Sequence, residues 1–366
     1  MRRALLVIAV LILLLPLRAG AEGVSDMYGA LPDGVKDSLP DRLENDISEN
    51  GESAVASLGA EYIASLAASA LKAAFAYSVK PLAAVIGVLL LSALLNSAGA
   101  AAAGGEAVAL SSAVSVTVTL FGAITPLFKL TSDTLSGIGL IMKGILPVMT
   151  GIYAMSGNIT AASVNSTWLM LLLTFLETLT ESLLMPLLCT CTGFIAVTTL
   201  SRFTGAPDMS GVSGELKKAL TFLLAAAGTV FTTVMAHQTA LAKSADSVAL
   251  RSLKFASGNM IPVIGGALGE AADGYLAGVS LIRSASGTLA AAAVISYVLP
   301  ALLKLAVLRA GLSAVAAGAE IMGRGKEAAV VREAGEVLGI AVALICTASV
   351  LSVIAVGVFA GSLPGG

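Results

Sequence analysis

Apolar residues run along this chain in long blocks separated by short polar stretches, and the blocks have the length a bilayer demands, about 20 residues. Strong blocks cover 82–103, 107–128, 219–236, 287–308 and 334–360. A longer one, 168–200, carries Pro186 at its middle and reads either as a tight hairpin or as one span plus a tilted half-helix. The length rule gives about five to seven spans. Between the blocks, 129–143 alternates polar and apolar residues and is too charged to cross lipid, while 158–165 and 202–218 are polar loops. The stretch 237–258 is basic and amphipathic. Segment 309–332 holds Arg309, Arg324, Lys326 and Arg332 and is the best candidate for a cytoplasmic loop, because Lys and Arg are retained on that side.

The first residues differ from the rest. Met1, Arg2 and Arg3 precede an apolar run over 4–17 and the small triplet Ala19-Gly20-Ala21. That order reads as a secretory signal cut after Ala21. The run is short for a full span, so an uncleaved first membrane helix is the weaker alternative. From Glu22 to Glu61 acids dominate, with only Lys36 and Arg42 against them. Acid-rich segments cross the membrane readily. Leu58, Ile63, Leu66, Ala70 and Leu71 recur at helical spacing and predict an amphipathic helix over 54–79. Residues 22–79 therefore read as an acidic extracytoplasmic head, and 80–366 as a multi-span membrane domain. The head is either a docking arm for a basic partner or, more in keeping with charge runs generally, a solvated spacer.

One pattern recurs at long range. Leu146-Pro147-Val148-Met149 and Ile261-Pro262-Val263-Ile264-Gly265-Gly266 match in kind, as do Met185-Pro186 and Leu299-Pro300. The paired prolines lie 115 and 114 residues apart. Two anchors with one offset suggest a duplication over 107–200 and 219–311. Pro147, Pro262, Gly265 and Gly266 are then candidate helix breaks shaping paired re-entrant segments, a pattern that marks the pathway in many carriers. The plainer reading is that Pro and Gly are simply common in membrane helices.

Composition sharpens this. Hydrophobic residues make up 57% of the 366 and charged ones 12%, where a soluble domain has about 45–50% and about 25%. So little charge could not cover a water-facing surface, so the expected fold is all-α, a polytopic membrane bundle. A net charge of -2 excludes a nucleic-acid binder, and three Cys exclude a disulfide scaffold. A single His leaves no room for a zinc-protease helix. Gly323-Arg324-Gly325-Lys326-Glu327 lacks the spacing of a phosphate loop, with Glu327 where Ser or Thr would hold magnesium, and reads as a solvated loop. Cys189, Cys191 and Cys346 sit in apolar sequence and read as small buried thiols. No motif marks a hydrolase, and neither a cofactor nor a metal is expected.

Charges inside spans carry the best functional signal. Glu177 and Glu181 lie four apart in an apolar helix and share a face. A central membrane charge costs about 2.5–3.5 kcal/mol on insertion scales, so such groups turn inward. They line a polar cavity, meet a partner, or form plain structural pairs. Lys304 and Arg309 read as snorkelling to the interface. Glu270 and Asp273 read as part of a re-entrant or interfacial turn with Arg283. Glycines four apart, such as Gly335/Gly339 and Gly357/Gly361, are helix-packing seams within the chain or between chains.

The order of these parts resembles the stage III sporulation protein AE family: signal, acidic head, then a bundle of Ala/Gly-rich spans. The most telling stretch is SADSVALRSLKFASGNMIPVIGGALGEAADGYLAGVSLIRSASG, residues 244–287. It is similar to the family's basic amphipathic segment, Pro-Val-x-Gly-Gly turn and following acidic-then-basic helix. The resemblance implies a non-enzymatic, permease-like membrane core of a multi-protein sporulation channel in the mother-cell membrane around the forespore. It implies as partners a ring-forming component and a cytoplasmic ATPase, with lipid around the spans. A stand-alone secondary transporter built from two repeats and a non-conducting scaffold are the rival readings. N-terminal sequencing of the membrane-purified chain is expected to start at Glu22; a chain starting at Met1 would make the first apolar run a membrane helix.

Overall fold

A computed structural model describes residues 22–37, 39, 40, 43, 58, 60–99, 105–155, 159–204, 211–234 and 265–361. Every regular element among them is helical. Two short helices, α1 (Glu22–Gly29) and α2 (Asp33–Lys36), precede the long ones. These are α3 (Ala60–Gly99), α4 (Gly105–Met155), α5 (Ile159–Leu179), a π turn (Thr180–Leu184), α6 (Met185–Thr204), α7 (Gly211–Val234), α8 (Gly265–Ile321) and α9 (Gly325–Gly361). Among the described residues, six helical stretches are long and apolar enough to cross a membrane.

The long helices run through several of the expected breaks. α3 passes without interruption over the 79/80 boundary, with Pro81 inside it. α4 continues through Pro126 and Pro147, so Pro147 does not end a helix, and the charged segment 129–143 is part of the same rod. α8 carries Pro300, and the stretch with Glu270 and Asp273 is helix rather than turn. The physical reason is common to all. In hydrocarbon an irregular stretch would leave N–H and C=O groups without partners, whereas one proline removes a single bond that neighbouring helices can tolerate. Gly265 opens α8, and Pro262, with the rest of 235–264, lies outside the described residues. So does Ala21.

Residues 159–204 form a single helical path, neither hairpin nor half-helix. Pro186 is absorbed by the π turn just before it: Met185 N–H reaches back five residues to the Thr180 carbonyl. The expected loop over 309–332 shrinks to a tight turn between α8 and α9. Gly323 adopts a left-handed conformation (φ 73°). Its N–H donates to Glu320 O at 2.9 Å and the Arg324 N–H to Ala319 O at 2.9 Å, the paired bonds of a glycine-terminated helix end.

Contacts fix the directions. Tyr62 and Ser296 share a hydrogen bond at 3.3 Å, Lys304 Nζ stands 5.8 Å over the Tyr77 ring, and Leu82 meets Gly311, so α3 and α8 run side by side in parallel. Lys304 is thus held by an aromatic face rather than left to snorkel. α4 runs the other way, with Ser112 beside Ser92 at one end and the Asp133 carbonyl accepting from Tyr297 at the other. α8 and α9 pack closely over Leu305, Leu308, Leu312, Val331, Leu338 and Ile345, all buried. Gly335 and Gly339 let Arg309 and Leu312 approach α9, so this seam lies inside the chain.

The described residues of the acidic head pack on the bundle and are not a solvated spacer. Met27, Leu31, Val35, Leu39, Leu43 and Leu58 are buried in the same core as Ile145 and Met149 of α4. The Ala30 carbonyl sits against Gly144 of α4. Apolar side chains at every fourth position outweigh the acids around them, which remain on the outer side: Asp26, Asp33 and Asp37.

A side chain at Gly137 would overlap the Tyr297 ring, whereas Gly318 faces open space. Gly137→Val is therefore expected to destabilise the bundle by about 1–3 kcal/mol, and Gly318→Ala to leave it unchanged or slightly firmer. Thermal denaturation of both variants in the same detergent checks this.

Candidate functional site

The polar groups of the bundle fall into three arrangements. The first surrounds Glu177 and Glu181. α4 and the α5–π–α6 path lie antiparallel, which brings Lys143 Nζ to 2.6 Å from Glu177 Oε2. Ser136 Oγ donates to Glu181 Oε1 at 3.3 Å. The two carboxylates line one cavity between α4, α5, α7 and α9, with Ser132, Thr180, Thr347 and Ser352 adding hydroxyls and Leu173, Leu224 and Leu344 apolar wall. The cavity is about 50 Å³, room for one or two waters at about 30 Å³ each. Glu181 falls within the π turn, a deformation that appears often at functional sites.

The second is a stripe along α4. Ser111, Ser115, Val118, Gly122, Thr125, Lys129 and Asp133 are all exposed, and Ser136 is half-buried. At 100° per residue they fall within about 40° of one line along the helix. Only Val118 among them is bulky and apolar. The hydroxyls of Ser115 and Thr125 donate to carbonyls four residues back at 2.8 Å, which leaves their lone pairs facing outward. From Ser111 to Ser136 the stripe is about 38 Å long at 1.5 Å per residue, longer than the hydrocarbon thickness of about 30 Å. On one flank Ser112 turns to α3, on the other Gly139 faces Glu177 of α5. The exposed face of α3 contrasts with it: Phe75, Val79, Ile86, Leu90 and Leu94 suit lipid.

The third lies where α8 turns into α9. Arg324 and Glu327, expected on a solvated loop, are 7% and 3% exposed. Arg324 Nη2 meets Glu327 Oε1 at 2.5 Å and donates to Ser112 Oγ at 3.1 Å and to Ser92 Oγ. Ser112 Oγ also donates to Glu327 Oε1 at 3.3 Å. The first turn of α9 suits the Glu327 carboxylate, because free N–H groups there carry partial positive charge. Further along α9, Glu333 pairs with Arg202 of α6 at 2.5 Å and Glu336 with Lys217 of α7 at 2.7 Å. Lys326 Nζ caps α6 by donating to the Arg202 carbonyl at 2.9 Å. Ion pairs thus tie α6 and α7 to the start of α9, and hydrogen bonds from the clasp tie α3 and α4 to it.

Among the sequence-derived residues, the structure brings Glu177 and Glu181 to one cavity and adds Lys143 and Ser136 to them. Pro147 stays within α4 on the far extension of the stripe, exposed. The α4 stripe and the Arg324–Glu327 clasp were not found from the sequence. Cys189, Cys191 and Cys346 are free thiols, the first exposed. Among the described residues, no three His, Cys, Asp or Glu are placed to hold a metal ion.

Comparison with known proteins gives one family. The model of stage III sporulation protein AE matches residues 45–362. The curated stage III sporulation protein AE of Bacillus subtilis (strain 168) is 26% identical over 153 residues, 41% of this chain and 37% of that protein. The matched part thus spans little more than a third of that relative. No solved structure matches the chain.

Removing one partner of the clasp leaves a buried guanidinium uncompensated. Glu327→Gln is expected to lower stability by about 3–5 kcal/mol, while the joint change Arg324→Met with Glu327→Leu recovers most of the loss. Thermal denaturation of the single and paired variants measures both.

Proposed function

The chain belongs to the stage III sporulation protein AE family, and from that premise we propose that it is the permease-like membrane core of a multi-protein channel or secretion complex needed for endospore formation. It sits in the mother-cell membrane around the forespore, with the acidic head outside the cytoplasm, and works with ring-forming proteins and a cytoplasmic ATPase.

The observation that carries this reading is the α4 stripe. A line of hydroxyls, a glycine, a lysine and a carboxylate as long as a bilayer is thick has no place against lipid tails, where a central charge costs about 2.5–3.5 kcal/mol. Such a face suits water. Glu177 and Glu181 stand beside it, so carboxylate, hydroxyl and ammonium groups cluster where the stripe meets α5. The chain then contributes one wall of a hydrated pathway, and it has no need of catalytic chemistry to do so.

A stand-alone carrier fits less well. Its binding site would lie inside the chain between the two halves, and among the described residues the cavity lined by Glu177 and Glu181 has room for one or two waters. A scaffold without a pathway leaves the α4 stripe without a purpose.

Affinity purification of the tagged chain from sporulating cells, in mild detergent, is expected to recover the ring-forming proteins and the ATPase. A homo-oligomer with no such partners would overturn the reading. In the same cells Glu181→Gln is expected to lower spore yield while the recovered complex keeps its composition; loss of partners instead would make Glu181 a subunit contact.

A further inference from the structure

The α4 stripe covers only one side of a pathway, and what completes the wall is the open question. We propose that it is completed by further copies of this chain, arranged around a common axis with α4 innermost, so that the pathway runs between protomers and not through any one of them. This inference rests on the channel reading given above.

Three features of the structure favour a second copy as the occupant. The first is the cavity between α4 and α5, which among the described residues has room for one or two waters and opens beside Ser136 at the end of the stripe. The stripe on the outer surface is the bilayer-length candidate for a hydrated route. The second is width. Residues within about 40° of a line make a strip about one helix across, so a closed wall needs several equivalent strips, which rotation of one chain supplies.

The third is charge. Lys129 and Asp133 are exposed on the stripe one turn apart, and no ion pair joins either of them to another described residue. In a rotational assembly all copies stand at the same height. Lys129 of one copy then lies about 6 Å along the axis from Asp133 of the next, a rise of four residues at 1.5 Å each, within reach of a lysine side chain. The strip carries one charge of each sign between Ser111 and Ser136, so copies meeting along it complement each other and do not repel. The flanks agree with this placement. The exposed faces of α3 and α5 on either side are rich in Phe, Leu and Val, including Phe75, Leu90, Leu171 and Phe175, and so suit lipid.

The test uses the full chain in native membranes of sporulating cells, with Cys189→Ala, Cys191→Ala and Cys346→Ala as background. Single cysteines go in at Ser115→Cys and Thr125→Cys on the stripe, and at Leu90→Cys on the lipid face of α3. The stripe thiols are expected to react with a water-soluble maleimide about tenfold faster than Leu90→Cys, because a thiol needs water to ionise and react. With a short bis-maleimide they should give a product of twice the chain's mass, containing this chain alone, and Leu90→Cys should give none. Fast labelling without a chain-to-chain product, or cross-linking to a different protein, overturns the assembly of copies while leaving the hydrated face standing. Slow labelling at both stripe positions overturns the assembly and the channel reading together. A charge exchange provides a second readout: Lys129→Asp and Asp133→Lys singly are expected to abolish most of the Thr125→Cys cross-link, and the two combined to restore it. A combined variant that stays as weak as the single ones would overturn the proposed pairing.

Discussion

In a bilayer a charge must find an opposite charge or water, and the placement of charges in this bundle follows from that constraint. Arg324 and Glu327 satisfy it deep inside. Their pair, with the hydroxyls of Ser92 and Ser112, is the point where the turn between α8 and α9 meets the ends of α3 and α4. Glu333 and Glu336 repeat the device along α9 toward Arg202 and Lys217. α9 thus acts as an acidic spine at its start and an apolar span beyond, and basic residues of other helices are drawn to the same end. Apolar packing alone gives little direction among helices of similar character, since lipid tails are as apolar as leucine. The ion pairs give the helices their order and register.

Along α4 the structure instead turns polar groups outward, on a surface and not in a core. The α4 stripe has the same kinds of groups as the buried clasp, hydroxyls and one charge of each sign, but turned outward. Its hydroxyls bond back to their own helix, as Ser115 and Thr125 do, so they make no demand on a fixed partner. A wall of this kind presents polar atoms without gripping any one solute. The cavity beside it, with Glu177 held by Lys143 and Glu181 accepting from the Ser136 hydroxyl at 3.3 Å, joins the stripe to the more closely held interior.

How much of this could be read from the chain of letters depended on whether the signal was local. Membrane helices follow from composition and spacing, and so does the shared face of Glu177 and Glu181, which the structure brings to one cavity. Lys143 as the partner of Glu177 depends on two antiparallel helices meeting in one register, information no short window contains. The α4 stripe was present in the spacing of Ser111, Ser115, Gly122, Thr125, Lys129, Asp133 and Ser136. Lys129 looks like the end of a span in the sequence, yet it lies on one continuous helix and belongs to a face. The head misled in a similar way. Its acids are conspicuous, yet Met27, Leu31, Val35, Leu39 and Leu43 at intervals of four were the better guide to where it lies. Gly-Arg-Gly-Lys reads as a loop, but the turn is only residues 322–324, with Gly325 and Lys326 already in α9, and so short a turn cannot keep its side chains away from the bundle.

The π turn at Thr180–Leu184 has a consequence for how such chains change over generations. A π turn is an α-helix with one residue inserted, so the path from α5 to α6 holds a single surplus position. Deleting one residue within it would return that stretch to ordinary helix and leave both flanks in phase: Leu172 and Leu173 on one side, Leu188, Cys191 and Ile195 on the other, would still face the core. The same deletion a few turns away would rotate everything beyond it by about 100° and turn buried leucines outward. Length variation among relatives should therefore collect at this one turn, beside Glu181.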